Sequence, residues 1–261
     1  MNPLALAIST AREAGELLLA RVGLPLLTRE KSARGDLVTE SDRAAEALIV
    51  ARLRAAFPES TILGEEHGTY QGTSDERWIV DPLDGTTNYA HGYPLFCVSI
   101  AYERAGIVVA GAIYAPAIGE MFAASLGAGA TCNDRRIGVS DTETVSDSLG
   151  CTGFKPANYE RNGAHFERLS RRAQGVRRDG SAALDLAFVA AGRFDAFWEF
   201  DLSPWDVAAG ALIVREAGGT VTAIDGSPFV VGGGSTLATN GRNHREMCDL
   251  LRVDVESRSE S

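Results

Sequence analysis

Between residues 61 and 125 the chain strings together TILGEE, RWIVD, FCVSIAYE, GIVVAGAIYA and MFAAS, short β-branched or aromatic runs bounded by Gly or Pro. No helical pattern separates several of them, and parallel neighbours need a long crossover connection. This stretch therefore predicts antiparallel or mixed pairing, which limits the chain to a layered α/β architecture.

Helical patterns flank the strand-rich segment. Leu4, Ile8, Ala11, Ala14, Leu18 and Leu19 recur at helical spacing over 3–20, and SDRAAEALIVARLRAAFP repeats the theme with Ser41 as cap and Pro58 as stop. In the second half, DSLGCTGF predicts a strand, NYERNGAHFERLSRRA and SAALDLAFVAAG helices, and RFDAFWEF a strand. SPWDVAAGALIVREAGG is the clearest helix: Ser203 caps it, Pro204 takes the first helical position and Gly218-Gly219 end it. Trp205, Ala208, Ala209, Leu212 and Ile213 form its expected buried stripe. A short strand near TVTA, a Gly-rich turn and a helix around 243–252 complete the pattern, and the tail ESRSES is expected to fray. The expected organisation is one unit over 1–261, with lobes of about 1–140 and 141–261.

A formal net charge of −10 argues against direct binding to nucleic acid or to an anionic membrane. Cys97, Cys132, Cys151 and Cys248 are scattered without a C-x-x-C pair, which fits a reducing cytoplasm rather than a disulfide framework or a zinc site. The N-terminal apolar stretch is interrupted by Arg12, Glu13, Glu16 and Arg21, so it reads as an amphipathic helix and not a signal peptide. No run is long enough to span a bilayer.

The chemistry-bearing stretch is WIVDPLDGTTNYAHG at 78–92. Pro82 cannot donate to a ladder, so the strand is expected to end near it. Asp81 and Asp84 then either cap a turn or, leaving the carboxyl end of a strand, hold a hard divalent cation such as Mg²⁺ with the Leu83 carbonyl as a further ligand. Gly85-Thr86-Thr87-Asn88 opens a short helix whose amides suit an anion. Glu65-Glu66 again follow a strand pattern, as surface residues or as a cation ligand beside Asp81. Asp206 serves its own helix start or faces the core. Thr39, Ser41 and Asp42 read as a helix start preceded by Lys31 and Asp36. The histidines show no paired metal spacing, and VVGGGST lacks the Lys of a Walker loop.

Taken together, Glu65-Glu66 after Gly64, the run DPLDGTTN at 81–88 and WDVAAG at 205–210 resemble the inositol monophosphatase family, in its bacterial branch. GDLVTESD at 35–42 and GSAALDLAFVAAGRFDAFWE at 180–199 extend the resemblance over nearly the whole chain. The resemblance implies an αβαβα sandwich, a homodimer and hydrolysis of a phosphate monoester with two or three Mg²⁺ ions. By motif, Glu65, Asp81 and the Leu83 carbonyl would hold one Mg²⁺, and Asp81, Asp84 and Asp206 a second. A third would lie near Glu65. Thr86 paired with Asp42 would orient and help deprotonate the attacking water, with Glu65 in the catalytic set. Gly85 and Thr86 amides would cradle the phosphate, with Lys31 beside it. Gly180, Ser181, Ala182, Glu199 and Asp206 would line the polyol side. The match favours myo-inositol 1-phosphate and implies lithium sensitivity. Relatives of this fold act instead on fructose bisphosphate, histidinol phosphate or nucleotide 3′-phosphates, and some bacterial ones bind the transcription or ribosomal-RNA machinery as regulators, so a regulatory protein partner stays open.

Overall fold

The computed structural model describes residues 1–22, 40–154 and 159–252, and the backbone of two short strands at 29–30 and 37–38. Lys31, Asp36, Thr39 and the tail ESRSES lie outside the described residues.

The first half comprises α1 (Pro3–Leu19), β1 (Arg29–Glu30), β2 (Leu37–Val38), α2 (Glu40–Ala56), β3 (Thr61–Gly64), β4 (Gly68–Tyr70) and β5 (Glu76–Asp84). It continues with α3 (Thr86–Ala90), β6 (Cys97–Arg104), β7 (Ile107–Ala115), β8 (Glu120–Ser125), β9 (Gly129–Cys132) and β10 (Arg135–Arg136). The second half holds β11 (Leu149–Thr152), α4 (Tyr159–Ser170), β12 (Gly175–Arg177), α5 (Ala182–Ala190) and β13 (Ala196–Phe200). It closes with α6 (Pro204–Glu216), β14 (Thr220–Thr222), β15 (Ser235–Thr239) and α7 (His244–Leu251).

An 8-stranded sheet has the order β10-β9-β8-β7-β6-β5-β3-β4, and a 5-stranded sheet the order β12-β11-β13-β15-β14. Pairing is mixed, as the close spacing of the runs predicts: β5 through β10 are antiparallel neighbours, whereas β3 runs parallel to β5. Alternate residues of β5 and β6 serve two cores. Trp78, Val80, Val98, Ile100 and Tyr102 face α1 and α2, while Ile79, Cys97 and Ala101 face α5 and α6. Burial of both faces is why these strands read as nearly unbroken apolar runs.

Contacts among the elements give five layers: α1 and α2, the larger sheet, α5 and α6, the smaller sheet, then α4 and α7. α6 sits between the sheets, so Asp206 through Val214 are all buried rather than only the stripe expected from its apolar spacing. A helix sandwiched on both sides has no solvent face left to carry polar residues. The Gly-rich turn predicted for VVGGGST at 230–236 gives way to β15 at Ser235, a strand that the sequence pattern did not reveal and that lies between β13 and β14.

Candidate active site

The strand predicted to end near Pro82 instead runs on to Asp84. Its partners on β6 jump from Asp81↔Ser99 to Asp84↔Cys97, which leaves one extra residue on β5 and makes a bulge. Pro82 sits inside that irregularity, where no ladder donor is required. The bulge buries Asp81, whose Oδ1 accepts a 3.0 Å hydrogen bond from the Leu83 amide. The Leu83 carbonyl in turn accepts from Thr86 Oγ1 at 3.1 Å. Gly85 turns the chain into α3 at φ 90°, and a Cβ there would stand 3.0 Å from the Leu95 carbonyl oxygen. Only glycine fits that position without strain.

Parallel pairing explains how a second carboxylate arrives. Gly64 of β3 is in register with Val80 of β5, so Glu65, the first residue beyond β3, follows alongside Asp81, where the β5 bulge begins. Burial pushes the Asp81 carboxyl well above its usual range, and the charges of Glu65, Asp84, Asp206 and Asp42 push it further. Residues remote in sequence thus share one electrostatic neighbourhood. Asp84 is pushed up to about 6 by burial, and the Glu65 charge adds to the rise. Ser181 Oγ and the Ala183 amide, each 2.7 Å from Asp84 Oδ2, oppose it. Asp206 is buried at the first turn of α6 and its Oδ2 accepts from the Ser203 amide at 2.7 Å. Its capping role therefore holds and does not exclude the other one. Asp42 is fully buried on α2.

An array of oxygen donors whose members repel one another and are short of water suits a hard divalent cation. These residues fit Mg²⁺ by donor type. The model matching residues 2–256 is that of the inositol monophosphatase family. The chain belongs to that family. This phosphatase is a phosphoric monoester hydrolase, and its layered fold is that of the solved family members. It is 44% identical over 252 residues to the inositol-1-monophosphatase of Synechocystis sp., covering 95% of this chain and 88% of that one. It is 45% identical over 262 residues to the Nus factor SuhB of Pseudomonas aeruginosa, covering 97% of each. The crystal structure of extragenic suppressor protein suhB from Bartonella henselae superposes with a TM-score of 0.92 at 39% identity, covering 96% of this chain and 98% of that one.

The remaining site expectations of this inositol monophosphatase family member divide by position. Gly180, Ser181 and Ala182 form the entry to α5, where Ser181 and the backbone hold Asp84. Asn88 Nδ2 donates to the carbonyls of Leu95 at 2.6 Å and Asp179 at 2.7 Å, tying α3 to that entry. Glu199 is buried on β13, and its carboxylate occupies the space that a side chain at Gly153 would fill. Sequence reasoning missed Asn88 as a clamp and Glu46, a fully buried carboxylate one helical turn after Asp42. The spacing from Asp42 to Glu46 was the available signal. It also missed a separate group, Cys151, Asp179 and Asp185, whose potential ligand atoms lie within 4.8 Å of one another. Burial and the Asp179 charge push the Asp185 carboxyl well up, and the Cys151 thiol hydrogen-bonds to it.

Proposed function

We propose that this phosphatase hydrolyses a small polyol phosphate, myo-inositol 1-phosphate in particular, with Mg²⁺. The observation that carries the reading is the convergence of Glu65, Asp84, Asp206 and Asp42 on the buried Asp81. Glu65, Asp81 and the Leu83 carbonyl would hold one ion, and Asp81, Asp84 and Asp206 another, with a third near Glu65. Bound there, Mg²⁺ would lower the pKa of a coordinated water and neutralise phosphoryl charge.

The chain's own groups supply the rest. Thr86 Oγ1, bonded to the Leu83 carbonyl, would orient the attacking water, with Asp42 as its acidic partner and Glu65 in the same catalytic set. The Gly85 and Thr86 amides would cradle the phosphate at the start of α3, and the family resemblance adds Lys31, outside the described residues, as its basic partner. The entry at Gly180, Ser181 and Ala182, with Asp206 and Glu199, would bind the polyol hydroxyls. Ser181 carries two tasks in this arrangement, because it also holds Asp84. In-line attack by water needs no covalent enzyme intermediate.

The deciding experiment is phosphate release from a panel of myo-inositol 1-phosphate, fructose 1,6-bisphosphate, histidinol phosphate and adenosine 3′,5′-bisphosphate, with and without chelator. The reading expects the first to have the highest kcat/KM, activity to vanish on chelation and lithium to inhibit. Preference for another member of the panel would replace the substrate, and full activity in chelator would sink the metal assignment.

The family resemblance also supports a homodimer, to be checked by light scattering after gel filtration, and one domain of two lobes that share α5 and α6. The unpaired state of Cys97, Cys132, Cys151 and Cys248 supports a cytoplasmic setting. The Nus factor name of the Pseudomonas aeruginosa relative supports a second, regulatory reading in which a protein partner of the transcription machinery is bound. Its test is a pull-down with wild-type protein and an inactive variant, and loss of all specific capture would remove it.

A further inference from the structure

The Glu65 turn closes the β3–β4 hairpin, whose ladder ends at the Gly64↔Gly68 pair, so residues 65–67 themselves lie outside the ladder. Its backbone donors go instead to Glu46. Glu46 Oε2 accepts from the Glu66 amide at 2.7 Å, and Oε1 accepts from the His67 amide at 3.1 Å. The His67 ring closes the set, with Nδ1 2.8 Å from the same Oε1. The carboxylate itself is fully buried, and Gly64 makes room for it: a Cβ at 64 would lie 2.9–3.0 Å from the Glu46 carboxyl atoms. A buried carboxylate with this many directed donors is a stiff joint, because charge-assisted hydrogen bonds are the stronger class.

The joint links two parts of the proposed site. Glu46 lies one helical turn beyond Asp42 on the same face of α2, so one helix both supplies Asp42 and grips the turn that carries Glu65. We infer that Glu46 is a positioning residue that sets where Glu65 stands relative to Asp81 and so sets how tightly the site holds its divalent cation. The inference rests on the proposed assignment of Glu65 as a cation ligand. Glu46 does not touch the reacting atoms; it acts through the turn.

Glu46→Gln keeps the size and offers one oxygen, but its amide presents hydrogens to an N–H donor. That leaves part of the turn without an acceptor. Gly64→Ala keeps the Glu46 charge and displaces the carboxylate instead. Both variants should raise the half-saturating Mg²⁺ concentration about tenfold, equivalent to about 1.4 kcal/mol. At saturating Mg²⁺, kcat should return to within about threefold of wild type, because the groups that meet substrate are intact. Calorimetric titration of Mg²⁺ into substrate-free protein should show the same weakening without reference to activity.

Glu65→Gln separates the two levels of the argument. If it binds Mg²⁺ like wild type, the ligand assignment fails. If it binds weakly while Glu46→Gln binds normally, only the positioning role fails. Weakening by Glu46→Gln alone, with Gly64→Ala unaffected, would mean that charge and not placement matters, which also overturns the inference. A fall in kcat at every Mg²⁺ concentration, with half-saturation unchanged, overturns it too.

Discussion

Asp84→Asn should make the metal-free protein more stable at neutral pH while destroying its turnover. The Asp84 carboxyl rises from 3.8 to about 6 in the folded chain, chiefly because burial disfavours its charge. In the unfolded chain it titrates near 3.8, so between those values the native state binds more protons and stability falls as pH rises. Above about pH 6 the ionised group costs the native state at most about 3 kcal/mol. Asp84 is only half-buried, and screening by water brings the expected gain on neutralisation to about 1–2 kcal/mol. The Asn oxygen can still accept from Ser181 Oγ and the Ala183 amide, so those bonds are not the source of the difference. The assay is urea unfolding of both proteins in chelator from about pH 4 to pH 8. The variant should be the more stable at the alkaline end, and the gap should close as pH falls through 6 toward 4. Added Mg²⁺ should stabilise wild type far more than the variant. A variant that is less stable in chelator at pH 8, or a gap indifferent to pH, would refute the claim that the unliganded carboxylates strain the fold.

Other perturbations are expected to act through single contacts. Gly85→Ala forces a side chain into φ 90° against the Leu95 carbonyl, and should cost about 1–2 kcal/mol in unfolding experiments. Its kcat/KM should fall further, on the order of a hundredfold, because the site's donors shift with the turn. Asn88→Ala removes the bonds to the Leu95 and Asp179 carbonyls and should cost about 1–3 kcal/mol, with a raised KM in steady-state kinetics. Burial, with help from Arg168 and Arg161, lowers the His165 pKa from 6.5 to about 4. Its stabilising contribution is therefore present above pH 6.5 and lost as pH falls toward 4, by up to about 3 kcal/mol. Phenylalanine there can keep the stack on Phe200, so His165→Phe should flatten that acid-side slope in denaturant titrations.

Local signals carried the parts of the fold whose ends are self-sufficient. α6 was legible because Ser203, Pro204 and Gly218-Gly219 mark its limits whatever packs around it. β15 was not, since STLAT offers few β-branched apolar residues and follows a glycine run; its strand state comes from neighbours β13 and β14. Pro82 misled for a related reason. Whether a proline ends a strand depends on the partner's register, and the β5–β6 bulge is a property of two segments. In the site, Asp81, Leu83, Asp84 and Gly85 could be singled out from one short stretch. Assigning Glu65 and Asp206 to the same place needed the family pattern, because parallel β3–β5 pairing and the docking of α6 bring them there. Glu46 escaped because a glutamate in a helix normally faces water; only the turn folded against α2 makes it a buried acceptor.

The middle layer also has a consequence for how the chain is made. All strands of the larger sheet have been synthesised once Arg136 is added, and α1 and α2 can already cover one of its faces. The other face, with Ile79, Ala101, Ile113 and Phe122, waits for α5 and α6, which are complete only at Glu216. At ordinary rates of synthesis that interval is roughly 4–16 s. During it the nascent chain carries half a sheet sandwich with an uncovered apolar side, the surface a holding chaperone would grip. The same delay means that Asp206 cannot join Asp81 until α5 has been made, so a product truncated before α6 holds the first carboxylates without the last.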